Sequence, residues 1–177
     1  MLKFFCAVSA VLFVAGCSSN LPDVQVKTVD KMQVLFVEKQ GNFSDIGNAM
    51  GMLFQYAGTN GIQYAGAPFG VYYDDPKKVA PEKCRYDVCV PIVPVADSIA
   101  GKITGDIKIK EIPAIEVAFL LHKGAYSKVG PSWGGLFKWI FRNGYKPDGP
   151  GREFYLNSPQ EVPEDSLLTE IQIPVKK

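Results

Sequence analysis

Side chains able to do chemistry are few in this sequence. His122 is the only histidine, so a Ser-His-Asp arrangement would have to combine it with unrelated serines, and no nucleophile-elbow sequence is present. A lone histidine at a strand end is also far more often structural than a haem ligand. Cys84 and Cys89 are the only cysteines after residue 17, and with one histidine they cannot close a structural zinc site. The sequence therefore predicts no metal and no other cofactor.

One carboxylate and one phenol are spaced so that they share a strand face. Glu153 and Tyr155 are two residues apart, and alternate residues of a strand point to the same side. Gly70 and Tyr72 have the same spacing earlier in the chain. If that face looks into a cleft, both tyrosines line it. The alternative for Glu153 is an exposed strand residue without a role.

The N-terminus contains a cysteine in a sequence typical of lipid attachment. Met1-Leu2-Lys3 is followed by an apolar run from Phe4 to Ala15, which is too short to span a bilayer as a helix. The run ends in Val14-Ala15-Gly16-Cys17, which resembles the lipobox of bacterial lipoproteins. We expect residues 1–16 to be a signal peptide, and Cys17 to carry a diacylglycerol and usually a further acyl chain such as palmitate.

Lipidation at Cys17 implies that the chain is exported and anchored to a membrane, because several acyl chains anchor a protein stably. Residues 17–24 then form a short tether. In a Gram-negative bacterium, Ser18 after the lipidated cysteine resembles the default outer-membrane sorting pattern, which places the domain in the periplasm. The alternative is a plain secretory signal in which Cys17 is incidental.

Two cysteines, Cys84 and Cys89, remain in an exported and oxidising compartment. Five residues apart, they fall on opposite faces of a regular strand. A disulfide between them would need a bend or bulge near Cys84. Two separate thiols are the alternative.

Charge and composition narrow the classes of partner. The chain has 19 Lys and Arg against 18 Asp and Glu, and no basic stretch interleaves with aromatic residues, so nucleic acid is not an expected partner. Aromatic residues make up 12% of the chain. This content favours an aromatic-lined ligand site, with an aromatic-rich core as the alternative.

The sequence matches itself at an offset of 83 residues, without a gap, from about Met32 to Pro91. Gln40 to Gly47 lies over Lys123 to Gly130, with Gly41 on Gly124 and Phe43 on Tyr126. Further on, Leu53-Phe54 matches Leu136-Phe137, Asn60-Gly61 matches Asn143-Gly144, Tyr72 matches Tyr155, and Pro91 matches Pro174. An internal match of this length indicates that the fold is built from repeated units. We therefore expect two equivalent halves, at about 26–92 and 109–175.

Each half predicts the same order of elements, β-α-β-β. An apolar strand (Gln33 to Val37, or Ile115 to Leu121) leads through a glycine turn into a helix. Asn60-Gly61 and Asn143-Gly144 are expected to end the two helices. Two further strands follow in each half. The fold class predicted is α+β, with two main helices, an antiparallel or mixed sheet, a pseudo-twofold axis and a central cleft between the halves.

The mature chain, residues 25–177, resembles the GyrI-like small-molecule-binding domains of the SOUL superfamily, which also serve as effector-binding domains of AraC- and MerR-type regulators. The residues that carry the resemblance are Arg85 to Pro91, His122 to Tyr126, Trp133 to Trp139, Asn143 to Tyr145, Glu153 to Leu156 and Thr169 to Val175. Their order and spacing are specific, although no single segment is. The resemblance implies a cleft that binds planar or cationic organic molecules on aromatic walls.

The same resemblance implies which residues form the site. A glutamate at the position of Glu153 sits in the pocket, where it can pair with a cationic ligand or act as a general acid or base. Trp133 is the tryptophan expected in the pocket, whereas Trp139 is expected in the core. The expected ligand-binding residues are Glu153, Tyr155, Trp133, Tyr126, Tyr72, Phe43 and Phe54.

Two functions follow from this set of residues, and a protein-interaction role, with the cleft filled by side chains, is a third possibility. The first is a membrane-anchored binding module that captures a small hydrophobic or cationic molecule. The alternative is a hydrolase of reactive electrophilic compounds, with Glu153 and Tyr155 as its catalytic residues. In either case we expect a monomer whose partners are a small-molecule ligand and, through the lipid, a membrane.

Overall fold

A computed structural model of the chain describes residues 23–96, 103 and 105–177. Its strands are β1 (Gln25–Val29), β2 (Met32–Gln40), β3 (Phe69–Tyr72), β4 (Arg85–Ile92), β5 (Ile107–Ile112), β6 (Ile115–Lys123), β7 (Lys146–Pro147), β8 (Gly151–Tyr155) and β9 (Leu168–Lys176). Its helices are α1 (Ile46–Thr59) and α2 (Gly130–Arg142). A chain that starts at Ser18 therefore keeps the whole described fold.

The expected signal peptide, residues 1–16, and Cys17 lie outside the described residues, as does most of the expected tether. Within the part of the chain that the structure describes, no helix is long and apolar enough to cross a membrane.

All strands belong to one antiparallel sheet. The order across it is β1-β6-β9-β8-β3-β4-β2-β5, and the short β7 pairs with β9. Each half contains a strand, a helix and two further strands in this order, as β2-α1-β3-β4 and as β6-α2-β8-β9, with the two-residue β7 between α2 and β8. The predicted α+β class with two helices and an antiparallel sheet is confirmed.

Each half also begins with a strand that the sequence analysis missed. β1 precedes the first half and β5 precedes the second, so the repeated unit is β-β-α-β-β. β1 pairs with β6 and β5 pairs with β2, so each of these strands crosses to the opposite half. Both are edge strands with polar and half-exposed residues, which weakens the apolar alternation that identifies a strand.

The two edge strands are held by equivalent groups of three side chains, which we call the Lys110 triad and the Lys27 triad. In the Lys110 triad, Lys110 from β5 contacts Asp87 at 2.5 Å and lies 4.0 Å from the Phe36 ring centroid. In the Lys27 triad, Lys27 from β1 contacts Glu170 at 2.6 Å and lies 4.2 Å from the Phe119 ring. Each triad thus fastens the edge strand of one half to the other half by an ion pair and a cation–π contact.

The helices cover one face of the sheet. α1 buries residues spaced three and four apart, Ile46, Ala49, Leu53 and Ala57, and α2 buries Leu136 and Ile140. The opposite face has its own apolar cluster, in which Phe69 and Phe154 stack with ring centroids 4.4 Å apart. Because the core residues sit on the helical stripe and on alternate strand positions, the remaining face of each helix is free to line a cleft.

Glycines end both helices, at equivalent positions. Gly61 and Gly144 have φ angles of 65° and 76°, a left-handed conformation that glycine adopts without steric cost. The preceding Asn60 and Asn143 donate side-chain hydrogen bonds to backbone carbonyls of the last helical turn. The Asn-Gly pairs therefore stop the helices as expected.

The two cysteines of the domain are separate, buried thiols in the structure. Cys84 precedes β4 and its Sγ lies 3.7 Å from the carbonyl oxygens of Val79 and Ala80. Cys89 lies within β4 in the apolar cluster opposite the helices, and burial raises the pKa of its thiol to about 12. Such a thiol is a poor nucleophile.

Candidate functional site

The centre of the site is a pair of equivalent residues that face each other across the sheet. β3 and β8 pair antiparallel with Gly70 directly opposite Glu153, and these two positions are related by the internal offset of 83 residues. Two antiparallel strands related by a twofold axis have one such self-equivalent pair, on the axis itself. Glutamate in both halves would place two carboxylates against each other. Gly70 at the equivalent position avoids this contact between like charges.

Two equivalent tyrosines flank Glu153. Tyr72 OH donates to Glu153 Oε2 over 2.9 Å, and the hydroxyls of Tyr72 and Tyr155 are 2.5 Å apart. Tyr155 OH lies 3.3 Å from the same Oε2. Gly70 makes room for this arrangement, because a Cβ there would stand 2.8 Å from Tyr72 OH.

The second carboxylate oxygen is held by an indole. Trp133 Nε1 donates to Glu153 Oε1 over 2.6 Å. The Trp133 ring lies over Gly151, where an added Cβ would overlap two of its carbon atoms. Gly151 therefore lets α2 bring Trp133 down onto the sheet beside the carboxylate.

The number of phenolic protons determines which hydroxyl donates and which oxygen accepts among Tyr72, Tyr155 and Glu153. Two phenols have two protons for three oxygen contacts, so an ionised Glu153 leaves one contact without a proton. The two shortest contacts are satisfied when Tyr155 donates to Tyr72 and Tyr72 donates to Glu153. Burial, then Tyr155 and Glu153, raise the pKa of Tyr72 well above 10, and burial and Glu153 do the same for Tyr155. Both phenols therefore stay protonated and act as donors.

Among the described residues, no positively charged side chain of a Lys or Arg pairs with the Glu153 carboxylate. Glu153 is only 7% exposed. Its neighbours are neutral ring donors. A buried carboxylate without a cationic partner is costly, and a cation that enters beside it would remove that cost.

Glu153 lies in a cleft of about 1850 Å³ between the two halves. The structure brings all seven expected ligand-binding residues to its wall: Phe43, Phe54, Tyr72, Tyr126, Trp133, Glu153 and Tyr155. Phe43 meets Tyr72 edge-to-face at 5.0 Å, and the equivalent Tyr126 meets Tyr155 edge-to-face at 5.4 Å. The pseudo-twofold repeat thus builds both walls from matching aromatic pairs.

The sequence analysis did not identify two aromatic residues of the cleft, Phe137 and Phe141. They follow Trp133 at intervals of four along α2 and line the same cleft. That spacing places all three rings on one helix face, and it is visible in the sequence. Trp139, in contrast, is half-buried, stacks on Tyr145 with ring centroids 6.0 Å apart, and packs against the core cluster of the second half.

His122 ties α2 to the sheet. Its Nδ1 lies 2.9 Å from Ser132 Oγ and its Nε2 lies 3.3 Å from the Ala125 carbonyl oxygen. Neither His122 nor Ser132 is among the residues that line the cleft. No group of three or more potential metal-ligating side chains converges in the described part of the chain. The chemistry of the site thus rests on Glu153 and its ring donors.

Alanine substitutions at Gly151, which lies under the Trp133 ring, and at Gly134, which faces open space, test how tightly Trp133 is held. We expect Gly151→Ala to lower the free energy of unfolding by about 1–3 kcal/mol, because the added methyl overlaps the Trp133 ring. We expect Gly134→Ala in α2 to raise it by up to about 1 kcal/mol, because nothing lies within 4 Å of the added Cβ and alanine is the better helix former. Urea unfolding of both variants measures the two effects. Equal stabilities would mean that Trp133 moves away from Gly151 at no cost.

Comparison with known proteins identifies relatives of this chain. Residues 22–176 match the family described as GyrI-like small molecule binding domain. The probable transcriptional regulator YgiV of Escherichia coli K12 is 30% identical over 110 residues, 60% of this chain and 66% of YgiV, just under two thirds of its length. A DNA gyrase inhibitor of Edwardsiella piscicida is 27% identical over 157 residues, 87% of this chain and 98% of the inhibitor.

Solved structures share the fold at low sequence identity. The C-terminal domain of EcmrR aligns with a TM-score of 0.73 at 23% identity, over 89% of this chain and 99% of that domain. In the EcmrR–DNA complex the match spans 58% of the whole EcmrR chain. A hydrolase from Listeria innocua aligns with a TM-score of 0.68 at 15% identity, over 86% of this chain and 91% of the hydrolase. SAV2435 bound to tetraphenylphosphonium aligns with a TM-score of 0.55 at 12% identity, over 87% and 94% of the two chains.

Proposed function

Since this chain belongs to the GyrI-like small-molecule-binding domain family, we propose that its cleft binds a lipophilic organic cation. The observation that carries this proposal is the Glu153 carboxylate, which is buried in an aromatic cleft and accepts hydrogen bonds from neutral donors. The aromatic walls supply contact area, and the carboxylate supplies the preference for positive charge.

The arrangement around Glu153 favours a cation that has no hydrogen-bond donors of its own. Trp133 and Tyr72 already donate to the two carboxylate oxygens, so about half of the four lone-pair sites of the carboxylate are occupied before a ligand enters. Aromatic faces attract a cation within about 6 Å of the ring centroid. A quaternary ammonium or phosphonium gains this attraction without losing hydrogen bonds to water, unlike a primary amine.

Tetraphenylphosphonium is a suitable probe, because SAV2435, a protein of the same fold, binds it. The experiment is titration calorimetry of the domain that starts at Ser18, with tetraphenylphosphonium and with the neutral triphenylphosphine oxide. We expect saturable binding of the cation and much weaker binding of the neutral compound. Equal affinities would contradict the proposed role of the carboxylate, and no binding of either would contradict the proposal as a whole.

A second candidate function is hydrolysis of electrophilic compounds. The observation in its favour is the hydrogen-bonded series Tyr155–Tyr72–Glu153, which holds proton donors beside a carboxylate. Incubation of the domain with a panel of epoxides and activated esters, followed by mass spectrometry, separates the two functions. Product formed in excess over protein and absent in Glu153→Gln would support the hydrolase.

We propose in addition that the chain is exported and is anchored to a membrane as a lipoprotein through Cys17. The sequence Val14-Ala15-Gly16-Cys17 supports this proposal. Radiolabelled palmitate fed to expressing cells is expected to label the wild-type chain and a Cys6→Ser control, and to leave Cys17→Ser unlabelled and unprocessed. Label retained in Cys17→Ser would contradict lipidation at this residue.

A further inference from the structure

Three aromatic rings form a ladder on the face of α2 that lines the cleft. The ring centroids of Trp133 and Phe137 are 6.2 Å apart with planes 28° from parallel, and those of Phe137 and Phe141 are 6.4 Å apart with planes 19° from parallel. We call Trp133, Phe137 and Phe141 the aromatic ladder. It begins at the hydrogen bond between Trp133 and Glu153 and continues toward the solvent.

Exposure increases along the aromatic ladder. Trp133 is half-buried, Phe137 is 38% exposed and Phe141 is 62% exposed. All three line the same cleft. Adjoining exposed aromatic residues that continue a ligand cleft indicate a contact surface.

The ladder is present on one side of the cleft only. The equivalents of Trp133, Phe137 and Phe141 in α1 are Met50, Phe54 and Gly58. Phe54 turns toward Tyr64, with an edge-to-face contact at 5.4 Å. The pseudo-twofold symmetry of the cleft is thus broken twice, by the charge at Glu153 and by the ladder that leads away from it.

We propose that the ligand is a single-chain cationic amphiphile, whose charged head lies beside Glu153 and whose hydrocarbon chain lies along the aromatic ladder. This inference rests on the proposed function and specifies the shape of the ligand. A compact cation held beside Glu153 does not extend along the ladder as far as Phe141, whose ring lies two stacking steps from Trp133. One linear chain that starts at the carboxylate and follows the ladder covers Phe137 and Phe141, whereas the α1 side has Gly58 in place of the third ring.

The test is the affinity of the domain starting at Ser18 for alkyltrimethylammonium ions from butyl to dodecyl, measured by calorimetry below their micelle concentrations. Each added methylene is expected to tighten binding by about fourfold while the chain still gains contact with the ladder. The gain is expected to stop once the chain passes Phe141. Tetraphenylphosphonium is measured alongside as the compact cation.

Phe141→Ala is the informative variant and Tyr64→Ala is its control, because Tyr64 is an equally exposed aromatic residue, at 61%, that does not line the cleft. Phe141→Ala is expected to weaken dodecyl binding by roughly tenfold and to weaken butyl and tetraphenylphosphonium binding by a much smaller factor. Tyr64→Ala is expected to leave the whole series unchanged.

The outcomes separate this inference from the proposed function. Binding of tetraphenylphosphonium without any dependence on chain length would overturn the amphiphile and leave the cation site standing. A chain-length gain that survives Phe141→Ala would also overturn it, since the chain would then lie elsewhere. Binding of none of these cations would overturn both.

Discussion

Lys110→Met is expected to lower the free energy of unfolding by about 3 kcal/mol, because it removes the cationic partner of the buried Asp87 carboxylate. Asp87 is 3% exposed and accepts hydrogen bonds from Lys110 Nζ and from Tyr73 OH, the latter over 2.8 Å. Methionine keeps the apolar contact with Phe36 but leaves the carboxylate with the tyrosine alone. Urea unfolding monitored by circular dichroism measures the loss.

The internal repeat supplies a matched control for this prediction. Lys27 is the equivalent of Lys110 in the other half. The side chain of its partner Glu170 is 17% exposed and also accepts a hydrogen bond from Gln172. Lys27→Met is therefore expected to cost less than about 1 kcal/mol, as for other partly solvated pairs. The double variant Asp87→Asn, Lys110→Met is expected to recover most of the stability. Equal losses from the two lysine substitutions would show that burial of Asp87 does not determine the cost.

Much of the fold could be predicted because the repeat is present in the sequence itself. The match of Gly41 with Gly124 and of Asn60-Gly61 with Asn143-Gly144 located the turns and helix ends, since left-handed positions demand particular residue types. Between these points, strands and helices followed from apolar spacing. β1 and β5 were missed, because an edge strand has one partner and little buried surface, and its residues are selected accordingly.

The sequence predicted which residues form the site, but it did not predict how they contact one another. Strand parity gave the shared face of Glu153 and Tyr155, but parity does not say which strands are neighbours. The contact between Tyr72 and Tyr155 depends on the pairing of β3 with β8, and on Gly70 lying opposite Glu153. Phe137 and Phe141 were missed because an aromatic series on a helix is equally compatible with a core position. Only packing of the opposite helix face separates the two alternatives.

Glu153→Gln is expected to weaken tetraphenylphosphonium binding by about a hundredfold. A unit charge about 6 Å from the charge of the ligand, at an effective dielectric constant of about 20, contributes about 3 kcal/mol. Glutamine has nearly the same shape, and its amide oxygen can still accept from Trp133 while its NH₂ group donates to the tyrosine hydroxyls. The fold and the aromatic walls are thus expected to remain, and the affinity for neutral triphenylphosphine oxide to change little.

Glu161→Gln is the matched control, because Glu161 also lines the cleft but is exposed to solvent. The charge of an exposed carboxylate is screened by water and salt, so this variant is expected to change tetraphenylphosphonium binding by less than about twofold. If both variants weaken cation binding equally, the overall charge of the cleft determines the preference, and the buried position of Glu153 does not. If only Glu153→Gln does so, and raising the salt concentration leaves the difference unchanged, the preference comes from a carboxylate held out of water by Trp133, Tyr72 and Tyr155.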